Sequence, residues 1–110
     1  MDISQWQCKI TILHEYGHAL MVLHNAKEEF GPDTKNPNLD TDTMVFLAQG
    51  DREWRQVIKE NIRFCPSYYA RSNSAEMFAE WYASYKIGET VPDGVKSYID
   101  KVEGSVNVTF

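Results

Sequence analysis

The 110-residue chain has little cysteine, no long apolar run and no basic stripe, and each shortage closes off a class of protein. Two cysteines, Cys8 and Cys65, are too few for a disulfide scaffold. Neither stands in a Cys-x-x-Cys spacing, so two buried free thiols are expected rather than a bridge or a zinc ligand set. No stretch approaches the ~18 apolar residues of a membrane span, and no membrane partner is expected. The opening Met-Asp-Ile-Ser-Gln-Trp carries neither the basic nor the apolar part of a signal peptide. The compartment therefore stays open: the cell interior, or a domain cut from a longer, secreted chain. Lys+Arg number 11 against 16 Asp+Glu, a net charge of −5 at pH 7. Nucleic acid is excluded as a partner on that ground, since phosphate binding needs a basic surface. What is present is ordinary for a folded protein. Hydrophobic residues make up 43% and aromatics 13%, enough for one domain, 1–110, with a modest core.

Periodicity makes the chain mainly α. Residues 3 to 26 read as one helix. With His14 at zero and 100° per residue, Ile10, Leu13, Gly17, Leu20 and Met21 fall between about −120° and −20°. That face is apolar, and Gly17 lies within it. A glycine there costs ~1 kcal/mol of helix propensity against Ala, so a close-packed second backbone is expected opposite it. Residues 31 to 42 are loop by composition. A second helical region follows, broken near Gly50, although part of 43 to 48 also suits a strand. Asp51 can cap a helix running to about Arg63 with Trp54, Val57, Ile58 and Ile62 on one side, ended by Cys65-Pro66. Asn73 and Glu76 have capping-box spacing for a helix to about Lys86, with Phe78, Trp81, Tyr82 and Tyr85 as its apolar stripe. Pro92 suits the first turn of a short last helix with Val95, Tyr98, Ile99 and Val102 inward. Val106, Val108 and Phe110 then alternate with polar residues, as a strand would.

The chemistry begins at His14-Glu15-Tyr16-Gly17-His18, a His-Glu-x-x-His pentapeptide. Residues four apart on a helix share a face, so both imidazoles can reach one metal ion. Glu15 follows the first His and stands where a water on that metal would need a base. A catalytic zinc site takes three protein ligands, so one more is required. His24 completes the metzincin spacing, but Met21 replaces the glycine that would end the helix there, and His24 falls at about −80°, amid the apolar stripe. The alternative is a carboxylate on another helix.

The stretch Tyr69-Ala70-Arg71-Ser72-Asn73-Ser74-Ala75-Glu76-Met77-Phe78-Ala79-Glu80 resembles the corresponding segment of the anthrax lethal factor family's catalytic domain. That family pairs a His-Glu-x-Gly-His helix with a Tyr seven residues before a glutamate ligand, followed by Phe-Ala-Glu. The clostridial Pro-Pro endopeptidases are similar in having the same Tyr-to-Glu spacing. The two motifs, residues 14–18 and 69–80, stand in the same order as in the family.

The resemblance implies a gluzincin: a zincin-like metalloendopeptidase in which His14, His18 and Glu76 bind one zinc ion. Glu15 would be its general base and Tyr69 a phenol donor at the oxyanion. Glu80, one turn beyond Glu76, would accept a hydrogen bond from a ligand His. The implied partner is a peptide or protein substrate. Zincin domains carry a β-sheet ahead of the active-site helix, but only 13 residues precede His14 and they read as helix. That sheet is therefore expected to be small or lacking, with the substrate edge supplied by the C-terminal tail or by a further domain. Two alternatives stand beside this reading. One is a zinc-binding but inactive interaction or structural module; the other is a metzincin-type site through His24.

Overall fold

Helix α1 (Ile3–Phe30) is the long element on which the rest assembles. In this computed structural model, which describes residues 3–31 and 40–106, α1 runs four residues beyond the segment predicted. Lys27, Glu28 and Glu29 are good helix formers, and the stop comes only at Gly31, whose φ of 107° suits the left-handed end of a helix. Residues 4–9 are all exposed, which puts Cys8 in solvent rather than in the core. Cys65 is half-buried, with its thiol 2.9 Å from the Ser67 carbonyl. Both thiols are free, but neither is fully buried as the sequence suggests.

Helix α2 (Thr41–Ala48) replaces the strand suggested for part of 43 to 48. Asp40 caps it, accepting from the Thr43 amide at 2.7 Å, and Leu47 docks into the core. Asn25 of α1 donates to the Leu47 carbonyl at 2.9 Å, so a side chain from another helix satisfies α2's last turn. Gly50, at φ 88°, makes the break into α3 (Arg52–Asn61). Asp51 caps α3 through the Trp54 amide at 2.8 Å. The helix tightens into a 3₁₀ turn at Ile62–Phe64 before Cys65-Pro66, which leaves Ile62 and Phe64 exposed.

A second 3₁₀ turn, Ala70–Ser72, leads into α4 (Ser74–Lys86). Asn73 accepts from the amides of Ala75 at 3.0 Å and Glu76 at 3.2 Å, which is half of the expected capping box. The other half is missing because the Glu76 carboxylate is engaged elsewhere. Helix α5 (Asp93–Val106) spans 14 residues rather than one short helix, starting at the Pro92 carbonyl. Val106 is helical and buried, so the strand-like alternation fails at its first member. Positions 108 and 110 lie outside the described residues. Among the described residues the fold is five α-helices with no strand. No described helix is long and apolar enough to cross a membrane.

Helix α4 forms the centre of the globule. Met77, Phe78, Trp81 and Tyr82 are buried, and α1, α3 and α5 all pack on it. Trp54 is fully enclosed, stacked on Tyr98 at 5.0 Å and edge-on to Phe78 at 5.3 Å and Trp81 at 5.8 Å. Such offset and T-shaped pairs add about 0.5–1.5 kcal/mol each beyond area burial.

Gly17 sets how closely α1 approaches α4. A Cβ built there would meet the Ala79 Cα at 3.1 Å and Tyr82 side-chain atoms at 3.3 Å. The sequence expectation of a close backbone holds. Gly17→Ala gains ~1 kcal/mol of helix propensity against an overpacking cost of roughly 1–3 kcal/mol. The clash is with backbone, so the cost should win. A lowered urea midpoint is the expected result; a midpoint above the parent's would show the helices free to move apart.

Candidate metal centre

The close α1–α4 packing carries His14 and His18 to the first turn of α4. His14 Nε2 lies 2.7 Å from Glu76 Oε2, and His18 Nε2 lies 2.9 Å from Glu76 Oε1. One carboxylate thus takes both imidazoles, one on each oxygen. The rings stand edge to face, with centroids 4.9 Å apart. All three side chains are about one-fifth to one-quarter exposed, so the cluster is lodged in the surface and reachable from solvent. Glu76 also sits in the first turn of α4, where the helix dipole favours a negative charge.

The donor chemistry suits zinc. Two imidazole nitrogens and a carboxylate oxygen, one atom from each residue, lie within 4.8 Å of one another. That is the His₂Glu set of catalytic zinc sites, with room for a fourth ligand. An ion held there would take the place of the protons now bridging the imidazoles to Glu76.

Glu15 is not part of the ligand cluster. Its Oε1 lies 3.6 Å from His14 Nδ1 and its side chain is 73% exposed, beside the first His and open to solvent. Tyr69, also exposed, lines a 350 Å³ depression together with His14, Glu76, Glu80, Ser67, Ile10 and Thr11. Through His14, Ile10 and Glu80 this depression adjoins a smaller one of 130 Å³. That one in turn shares Pro66, Ser84 and Glu89 with a 460 Å³ hollow walled by Phe64, Trp81 and Val91. The hollow itself does not touch the His–Glu cluster.

Glu80 does something other than the task the sequence suggests. It accepts a hydrogen bond from the Ser67 hydroxyl at 2.8 Å, and no histidine is bonded to it among the described residues. Ser67 Oγ in turn accepts from the Ala70 amide at 3.0 Å. The pair therefore holds the turn that carries Tyr69. Ser67 was not singled out in the sequence; its place two residues before Tyr69, ahead of a capped helix, is the signal available.

His24 is buried and remote from this group. Its ring nitrogens face Ser105, Glu28 and Asp51. The structure thus assembles His14, His18 and Glu76, sets Glu15 and Tyr69 beside them, and turns His24 elsewhere. Comparisons of the chain with protein families, curated proteins and solved structures found no match.

Proposed function

We propose that the chain is a zinc-dependent endopeptidase of the gluzincin type, with His14, His18 and Glu76 as ligands of one zinc ion. The observation that carries this reading is the convergence of both Nε2 atoms of the His-Glu-x-x-His helix on a single glutamate from a second helix. When bound, zinc lowers the pKa of a coordinated water to ~7 and polarises the substrate carbonyl. Glu15 accepts a proton as water adds to the peptide carbon, then gives it to the leaving amine as the C–N bond breaks. The Tyr69 phenol donates a hydrogen bond to the oxyanion that forms on the carbonyl oxygen. Ser67 and Glu80 keep the turn beneath Tyr69 in place.

One observation favours a second reading. Among the described residues there is no strand edge along which an extended peptide can pair. A zinc-binding but inactive module within a larger assembly has no need of one. Glu15 argues for turnover, because holding the metal does not require that residue.

The test is a combinatorial peptide library incubated with the zinc-loaded chain and read by mass spectrometry. Cleavage is expected, lost on chelation and restored by zinc. A zinc-loaded protein that cuts nothing in the library supports the module, and cleavage indifferent to chelation sinks both readings.

A further inference from the structure

A second convergence of donor groups lies farther along α1 and plays no part in the proposed hydrolysis. His24 is 1% exposed, and its Nδ1 is 2.6 Å from Ser105 Oγ. Ser105 donates to the Val102 carbonyl at 2.9 Å. A serine has one proton and a carbonyl can only accept, so the proton between His24 and Ser105 belongs to Nδ1. In the neutral ring, Nε2 then presents a lone pair. That atom is shielded from solvent and has no hydrogen-bond partner. It faces Glu28 Oε1 and Asp51 Oδ2, each 3.7 Å away.

Two carboxylates turned toward one another repel unless positive charge lies between them, and that charge can be a proton on Nε2 or a metal ion. The separations are too long for hydrogen bonds. They approach the ~3.4 Å expected between two ligands that each bind a tetrahedral ion at ~2.1 Å. Two of the three groups are also held in position, His24 by its bond to Ser105 and Asp51 by two donors, while the Glu28 side chain is 57% exposed. His24 and Glu28 are one turn apart on α1, and Asp51 Oδ1 is fixed by the Trp54 amide at 2.8 Å and the Tyr98 hydroxyl at 3.0 Å. No described ammonium or guanidinium pairs directly with the cluster: Lys27 donates to the Ser105 carbonyl, and Lys101, paired with Glu53, attracts Glu28 and Asp51 only at longer range. A 230 Å³ depression lined by His24, Lys27, Glu28 and Ser105 lies beside the cluster, with Asp51 outside its wall.

We propose that His24, Glu28 and Asp51 form a second divalent-metal site, for zinc or manganese. The imidazole disfavours calcium and magnesium, which take oxygen ligands. Its ion joins α1 to the cap of α3 and, through Ser105, to α5, so its role is to clamp three helices.

The test removes the first site with His14→Ala/His18→Ala and titrates the metal-stripped protein with Zn(II) and, separately, Mn(II). One equivalent of at least one metal should bind and raise the melting temperature. Glu28→Gln, at an exposed position, should then weaken binding at least about tenfold. The proposal is overturned if the double variant takes up neither metal, or if Glu28→Gln leaves its affinity unchanged. Should the double variant not fold, the His24 ring nitrogen resonances of the unaltered chain decide. They should shift on saturation with metal, and resonances that stay put overturn the site. Failure of the first site reads out separately, as a Glu28→Gln chain that retains no zinc.

Discussion

Glu15→Gln should lower kcat for peptide hydrolysis by about 10²–10⁴-fold while leaving bound zinc in place, the range general acid–base groups contribute. The substitution keeps shape and removes only the capacity to take a proton. Glu15 is largely exposed and outside the ligand cluster, so stability should stay within about 0.5 kcal/mol of the parent. That separation makes the result readable: activity falls, but metal content and melting temperature do not. Activity within a few-fold of the parent would mean that some other group moves the proton, and the mechanism above would be wrong. A matching loss of metal would instead assign Glu15 to the ligand set.

The second large effect is expected at Glu76. Glu76→Ala removes the one carboxylate that both His14 and His18 reach, leaving two imidazoles with no third ligand. Outer partners of zinc ligands already cost 10–100-fold in affinity when lost, so a ligand should cost at least about 100-fold. Cleavage should disappear with that ion. The fold should survive, because Asn73 still caps α4 and the aromatic cluster around Trp54 does not include Glu76. Glu28→Gln is the matching control: it alters the other cluster and should leave cleavage intact. If cleavage instead followed Glu28 and ignored Glu76, the ligand assignment would be reversed.

Local pattern made part of this arrangement legible. The period of α1 placed His14 and His18 on one face and Gly17 in the buried stripe, because those relations are fixed by helix geometry alone. Asn73 was readable as a cap, and the stripe through Phe78, Trp81 and Tyr82 as core, for the same reason. Glu76 as the third ligand came from resemblance, and the structure brings it to both histidines across α1 and α4. What local pattern cannot convey is where a polar side chain goes when its partner is distant in sequence. Glu80 serves Ser67 rather than a histidine. His24 reads correctly as buried, but its contacts with Ser105 and Asp51 exist only once three helices meet. Residues 43 to 48 are β-branched and aromatic enough to suit a strand, yet Asp40 and the bond from Asn25 decide for helix. Tertiary context overrode propensity there.

The central claim is that one zinc ion is held by two residues of α1 and one of α4. A crystal of the zinc-loaded chain, with anomalous differences collected at the zinc edge, tests it most directly. The expected map has a peak within about 2.0–2.2 Å of His14 Nε2, His18 Nε2 and a Glu76 oxygen. A map with no peak there, and both imidazoles still in direct contact with Glu76, would contradict it.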